Sequence, residues 1–256
     1  SSARNALPIT MQETPHKSGF SSLFVSTRLC QVISSHHWVE PTPIQAASIP
    51  IAMAHKDVIG IAQTGTGKTL AFGLPMAELL RKNEIGLVLA PTRELAHQIQ
   101  ETLTKLELKT VLLVGGTPMG PQLYQLRQGF QVIVATPGRL MDHLQRGSVH
   151  LRHAKIVVLD EADRMLDMGF AASIRRILGF APKARQTMLF SATMPPEIVE
   201  LAADFLKDPM RVEVAAPGTA SELIDQELMY VTKEGKREAI EDLLGSTKGS
   251  VLIFSR

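Results

Sequence analysis

Val58-Ile59-Gly60-Ile61-Ala62-Gln63-Thr64-Gly65-Thr66-Gly67-Lys68-Thr69 decides the fold. The first four residues are an unbroken apolar run and read as a buried strand. Leu70-Ala71-Phe72-Gly73-Leu74, immediately after, opens a helical pattern. A strand, a Gly-rich turn and a helix in that order make a phosphate cradle. Glycines let backbone N–H groups converge on an anion, and the helix N-terminus adds partial positive charge. Lys68 can reach β- and γ-phosphates, and the Thr69 hydroxyl can hold Mg²⁺. Ala62 stands where the general pattern has glycine, a small change in volume. A flexible turn with a chance lysine is the plainer alternative, and the strand–helix context argues against it.

Working outward, short apolar runs recur at 86–90, 111–114, 132–135, 156–159 and 188–190, with a last one near 211–214. They do not alternate, as expected of strands covered on both faces. Helical patterns lie between them at 94–106, 122–128, 139–145, 174–178 and 198–206. Two more helices precede the cradle, at 26–35 and from Pro43 onward, where proline suits the first turn. This alternation predicts an α/β fold, a mostly parallel sheet with helices on both faces. Such sheets bind ligands beyond the carboxyl ends of their strands. Residues 1–19 read as a loose arm, 20–214 as the domain and 215–222 as a linker. An extended run at 226–231, a helix at 236–244 and a strand at 251–254 read as the cut-short start of a second domain, 223–256. The first residue is Ser, so the start reads as processed or cut, with 1–10 as added residues ahead of Met11.

The 256 residues are 45% hydrophobic and 20% charged, which supports a sizeable core and excludes a disordered chain. Net charge is +2, compatible with a polyanion partner without demanding one. The single cysteine, Cys30, excludes an intrachain disulfide and fits a reducing compartment, here taken as the cytoplasm. No apolar run reaches the ~18 residues that span a bilayer. The eight histidines show no ligand spacing with Cys30, so no metal beyond a nucleotide's Mg²⁺ is expected. Arg175-Arg176 and Lys183-Ala184-Arg185 read as a solvated face, and the methionines as core filler.

Asp160-Glu161-Ala162-Asp163 follows the apolar run Ile156-Val157-Val158-Leu159. Asp160 therefore falls at a strand's carboxyl end, where it can hold Mg²⁺. Glu161 beside it can orient or deprotonate an attacking water. Alone, acids after a strand are more often a helix cap. A phosphate loop upstream in the same sheet reverses that balance. Asp160 to Asp163 spells DEAD, and the chain resembles the DEAD-box RNA helicase family. Ala62 to Thr69 is similar to its motif I, and Pro91-Thr92-Arg93-Glu94-Leu95-Ala96 to motif Ia. Gly115-Gly116 is similar to the GG motif, Thr136-Pro137-Gly138-Arg139 to motif Ib, and Ser191-Ala192-Thr193 to motif III. The resemblance covers roughly 20–214, and six ordered matches exclude coincidence.

The resemblance implies a RecA-like domain that binds ATP with Mg²⁺. Gln63, Thr64, Gly65, Thr66, Gly67, Lys68 and Thr69 would cradle the phosphates. Lys68, Asp160 and Glu161 would carry the chemistry, and Thr69 and Asp160 the metal. Trp38-Val39-Glu40-Pro41-Thr42-Pro43-Ile44-Gln45 is similar to the family's Q motif. Gln45 would read the adenine edge, since a carboxamide donates and accepts at once. Trp38 would pack near the base with Phe20 supporting it, although ordinary core packing accounts for either aromatic alone. His37 stands where the family has glycine. Pro91, Thr92, Arg93, Gly115, Gly116, Thr136, Pro137, Gly138 and Arg139 would bind the RNA backbone, a contact without base identity. Arg93 alone also reads as a surface ion pair, and Thr136 to Arg139 as a turn into a helix. Ser191 and Thr193 would bond near Asp163 and couple nucleotide state to RNA.

The expectation is thus the first part of an ATP-dependent RNA helicase core, monomeric and free of membrane. Leu252 to Arg256 resembles the start of motif IV, and the arginine fingers of the later motifs are expected to be missing. Such a finger is worth about 10³–10⁵ in rate in related enzymes. The chain is accordingly expected to bind nucleotide, hydrolyse it very slowly and unwind nothing. An ATP-gated RNA clamp shares every one of these motifs and stays open as an alternative. Another nucleic-acid translocase with a phosphate loop is disfavoured by the DEAD and Q-motif spellings.

Overall fold

The computed structural model describes residues 19–215, 239–242 and 245. The chain divides into two compact units, Ser1–Ala216 and Pro217–Arg256. In the second, residues 239–242 are helical, within the helix expected at 236–244, and residue 245, one position beyond that range, is helical as well. Of the loose arm expected at 1–19 only Gly19 is described, and it opens a 3₁₀ turn, while residues 1–18 and the strands expected at 226–231 and 251–254 lie outside the described residues.

The first unit opens with a 3₁₀ turn (Gly19–Leu23), α1 (Thr27–Ser35) and α2 (Pro43–Met53). Strands and helices then alternate: β1 (Val58–Ile61), α3 (Lys68–Leu79), β2 (Ile85–Leu89), α4 (Arg93–Lys105), β3 (Thr110–Leu113), α5 (Met119–Arg127), β4 (Val132–Ala135), α6 (Pro137–Arg146), β5 (Ala154–Leu159), α7 (Ala162–Asp167), α8 (Ala171–Phe180), β6 (Gln186–Ser191), α9 (Pro196–Phe205) and β7 (Met210–Glu213). The sheet order is β3-β4-β2-β5-β6-β1-β7. Every pairing is parallel, where the sequence promised only a mostly parallel sheet.

The reason is visible strand by strand. β1, β4 and β6 are buried at every position, because helices cover both faces. The edge strands differ: β3 alternates buried and half-buried residues, and β7 is mostly exposed. Alternate residues feed two separate cores. Val58, Phe72 and Phe190 belong to one, and Ile59, Ile61 and Leu159 to the other. Phe72 and Phe190 pack with ring centroids 5.7 Å apart. Gly60 makes room for that pair: a Cβ there would lie 2.6 Å from the Phe190 ring.

Asp57 staples the amino end of the sheet. Its carboxylate accepts from Thr187 N at 2.9 Å and from Lys207 N at 2.6 Å, joining the start of β1 to β6 and to the turn before β7. Arg185 corrects the expected solvated face. It is half-buried and donates to Thr187 Oγ1, Pro182 O and Phe205 O. Arg175 pairs with Asp204 at 2.7 Å and lies over the Phe205 ring. Both arginines are brought to these partners by the α8–β6–α9 packing, which composition does not encode.

Candidate nucleotide and nucleic-acid site

β1 delivers the chain to the phosphate loop at the carboxyl end of the sheet. Ala62 N still donates to Ser191 O at 3.0 Å, so this residue closes the ladder and no glycine is required there. Gly65 and Gly67 then take left-handed φ of +85° and +82°. A Cβ on Gly65 would meet nothing within 4 Å, so this side of the loop is open. A Cβ on Gly67 would lie 2.5 Å from Gln45 Nε2, so this side is closely packed. Thr66 Oγ1 donates to Gln63 O at 2.7 Å and holds the turn. α3 begins at Lys68 with Thr69 beside it, which aims free N–H groups and the positive end of a twelve-residue helix into the open loop.

Lys68 is 7% exposed, and its Nζ lies 3.8 Å from Asp160 Oδ1. Asp160 continues β5 past its end, donating its N–H to Leu89 O at 2.9 Å. It is 2% exposed, and burial pushes its carboxyl up to about 6 against the opposing pull of Lys68. Glu161 N donates to Asp160 Oδ1, and Glu161 itself sits at φ +49°. A left-handed glutamate is strained by about 1 kcal/mol. That strain turns its carboxylate back to the loop, where Thr64 Oγ1 donates to it at 3.4 Å and Arg164 pairs with it at 3.3 Å. No side chain caps α7, so helix capping does not explain these acids.

β6 ends beside the same acids. Asp163 N donates to Ser191 Oγ at 3.2 Å. Thr193 donates to Asp163 Oδ2 twice, from its N–H at 3.2 Å and its hydroxyl at 2.9 Å.

α2 brings Gln45 to the loop. Its Nε2 donates to Gly67 O and its Oε1 accepts from Thr42 N, both at 2.9 Å. One N–H and one lone pair remain for a ligand. The buried Thr42 Oγ1 has no partner and lies 3.0 Å from the place of a Gly67 Cβ. Phe20 and Trp38 pack against the same core as Ile44, the neighbour of Gln45. Phe20 is 4% exposed within the core. Trp38 meets His36 at 5.3 Å and Lys105 at 5.9 Å. Together they line a groove of about 180 Å³ with Gly19, Cys30 and Glu40. His37 takes φ +62°, which a glycine would adopt freely.

The loops after β2, β3 and β4 meet at one edge of this face. Arg93 opens α4 behind Pro91 and the cap Thr92, whose hydroxyl accepts from Leu95 N at 3.2 Å. Arg93 NH1 donates to Gly116 O at 3.5 Å, and Arg139 NH1 to Thr117 O at 2.8 Å. Gly115 N donates to Thr136 Oγ1 at 3.3 Å. Pro137 and Gly138 form the first turn of α6. Each guanidinium keeps further N–H donors for an outside anion. A cavity of about 370 Å³ lies at the opposite, amino end of the strands, lined by His55, Arg81, Lys155 and Arg185, apart from all of these residues.

The family model for the DEAD/DEAH box helicase matches residues 42–201, more than half of the chain. The chain belongs to the DEAD/DEAH box helicase family. The ATP-dependent RNA helicase CshA of Limosilactobacillus reuteri is 46% identical over 214 residues, 81% of this chain and 43% of that protein. The ATP-dependent RNA helicase DeaD of Mycobacterium tuberculosis (strain ATCC 25618 / H37Rv) is 44% identical over 223 residues, 84% of this chain and 40% of that protein. The crystal structure of a DEAD box protein from the hyperthermophile Methanococcus jannaschii superposes with a TM-score of 0.74 at 34% identity, covering 89% of this chain and 63% of that one. The chain spans less than half the length of these two curated relatives. The domain is a RecA-like α/β domain, as expected of a DEAD/DEAH box helicase.

Motif matching does not single out Thr117, Gln122 or His143, which pack in and beneath the loop that carries Gly115 and Gly116. Their hydrogen-bond partners lie 3 to 22 residues away in sequence, so only the general polarity of a buried Gln or His could have marked them. Among the described residues no group of three or more His, Cys, Asp or Glu side chains could hold a metal ion. A cation here fits only the Mg²⁺ pattern of one or two protein ligands plus phosphate oxygens and water. Among the described residues no helix is long and apolar enough to cross a membrane.

Proposed function

We propose that the chain is the ATP-binding part of an ATP-dependent RNA helicase that remodels RNA by nucleotide-driven domain closure. One observation carries the proposal: buried Lys68 lies 3.8 Å from buried Asp160 under a glycine loop whose outer side is open. A buried cation beside a buried acid suits a triphosphate with its metal. Mg²⁺ supplies charge neutralisation on the phosphates, with Thr69 and Asp160 as its protein ligands. Gln63 to Gly67 wrap the phosphates with N–H groups, and Lys68 pairs with their outer oxygens. Glu161, held toward the loop by its backbone strain and by Thr64, orients the attacking water and takes its proton. Gln45 reads the adenine edge with its remaining donor and lone pair, on a segment supported by Phe20 and Trp38.

Pro91, Thr92, Arg93, Gly115, Gly116, Thr136, Pro137, Gly138 and Arg139 present hydroxyls, N–H groups and guanidinium donors to one RNA strand. Contacts of this kind to phosphate and sugar carry no base identity, so RNA binding is independent of sequence. Asp163, Ser191 and Thr193 tie the acids on β5 to the end of β6 and pass nucleotide state to the RNA face. Residues 215–222 act as the linker and 223–256 as the opening of the second RecA-like domain. The protein works as a cytoplasmic monomer.

The test is titration of this chain with ADP and GDP, with Mg²⁺ present and absent, beside Gln45→Ala. Binding of ADP in preference to GDP, strengthened by Mg²⁺ and lost in the variant, is the expected result. Equal affinity for both nucleotides, or none for either, would overturn the proposal.

A further inference from the structure

A buried polar chain runs beneath the loop that carries Gly115 and Gly116, used by neither phosphate transfer nor adenine binding. Gln122 on α5 is 4% exposed and donates both amide hydrogens, to Val114 O at 2.8 Å and to Thr117 Oγ1 at 2.9 Å. Thr117 passes its own hydrogen to Val114 O at 3.0 Å. Turning the amide over would set its oxygen against the Val114 carbonyl, so the orientation is determined. Gln122 Oε1 therefore faces His143 Nε2, 2.8 Å away. An amide oxygen can only accept, so Nε2 of His143 carries a hydrogen.

His143 on α6 is 0% exposed. Its Nδ1 lies 2.8 Å from Ser148 Oγ, and the same hydroxyl reaches His143 O at 3.1 Å. The single Ser148 hydroxyl hydrogen is shared between His143 O and the Nδ1 of a neutral ring. Burial lowers the imidazole pKa, Arg139 lowers it further, Asp142 opposes them, and Arg146 adds a smaller lowering. The ring is thus the neutral Nε2–H tautomer.

What this chain holds is the loop itself. Thr117 O is the acceptor for Arg139, Gly116 O is the acceptor for Arg93, and Gly115 N is tied to Thr136. The loop is gripped by two arginines from outside and by Gln122 from within. We infer that His143, acting through Gln122, is a positioning residue that fixes the Gly115–Gly116 loop and its arginine contacts in the shape offered to an RNA phosphate. The inference rests on the RNA-binding role proposed above. It requires a hydrogen donor at the Nε2 position and nothing else from the imidazole.

Glutamine can place an amide N–H where Nε2 stands, and leucine can fill the volume without one. His143→Gln and His143→Leu therefore separate donation from packing. Each is titrated, in the 256-residue chain, with a single-stranded oligouridylate and in parallel with ADP. His143→Leu is expected to weaken RNA binding roughly tenfold, the effect of one unpaired buried acceptor. ADP affinity should be unchanged, and His143→Gln should recover most of the RNA affinity. Equal RNA affinity in all three proteins, or equal loss in both variants, overturns the inference and leaves RNA binding standing. No RNA binding by the unmodified chain overturns the RNA-binding role and the inference together. Should His143→Leu not fold, long-range ¹H–¹⁵N spectra of the unmodified chain read the tautomer directly. A hydrogen on Nε2 supports the inference, and one on Nδ1 overturns it.

Discussion

Gln45 and Gly67 are joined by a 2.9 Å hydrogen bond from the side-chain amide of one to the main-chain carbonyl of the other. The bond seats α2 directly on the turn that opens α3. The residue proposed to read adenine therefore also shapes the glycine loop, so that on this proposal both halves of the nucleotide site would share one side chain.

Gly67→Ala tests that contact. The added methyl would lie 2.5 Å from Gln45 Nε2 and 3.0 Å from Thr42 Oγ1, at a backbone φ of +82°. Both effects oppose it, and a loss of about 1–3 kcal/mol in stability is expected. Thermal melting and ADP titration should both register the change. An unaltered melting temperature would show that the loop has room the geometry denies.

Asp160 should leave a signature in the pH dependence of stability. Its carboxyl is raised from 3.8 to about 6. Below about pH 4 it is protonated folded and unfolded alike and has no effect. Between about pH 4 and 6 the unfolded chain releases a proton that the folded chain retains, so stability falls as pH rises, then levels off. Relative to Asp160→Asn, the parent should lose on the order of 1–3 kcal/mol across that window in the absence of metal. Urea melts at half-unit pH steps measure the difference.

Thr193→Val removes the hydroxyl donor to Asp163 Oδ2 and keeps the main-chain donor. Little stability should be lost, because the pair is exposed. ADP affinity should hold, while RNA-stimulated ATP turnover of the longer protein falls several-fold, about 1 kcal/mol. Parallel turnover assays with and without RNA make the comparison. A proportional fall in both would place Thr193 in the chemistry and not in its coupling to RNA.

Gly60→Ala addresses the core. Its methyl would meet the Phe190 ring at 2.6 Å, and Phe190 is fully buried against Phe72. Overpacking should lower stability by about 1–3 kcal/mol. Adding Phe190→Leu should be less harmful in Gly60→Ala than in the parent, and denaturant melts of the four proteins give that coupling. Simple additivity would mean that the two residues do not compete for space.

The elements were legible where local pattern and burial coincide. β4 lies on the apolar run at 132–135, and α4 and α9 begin one or two residues before their patterns because Thr92 and Pro195 act as caps. α7 was not legible. Six residues that follow a strained glutamate carry no helical period, and β5 and β6 both hold the helix at its amino end. Arg185 was misjudged for a related reason. A charged residue in a Pro- and Lys-rich turn reads as solvated until three carbonyl and hydroxyl partners are folded around it.

By itself the sequence determined the parallel α/β class, the order of its elements and the family, because unbroken apolar runs, glycine turns and fixed motif spacings are local properties of a chain. Tertiary structure alone decided which polar groups meet. The 3.8 Å approach of Lys68 to Asp160, the grip of Gln45 on Gly67 and the hydrogen on His143 Nε2 each join segments far apart in sequence. Such meetings are set by strand order and helix packing, and a buried donor or acceptor must find its partner there because no water remains to serve it.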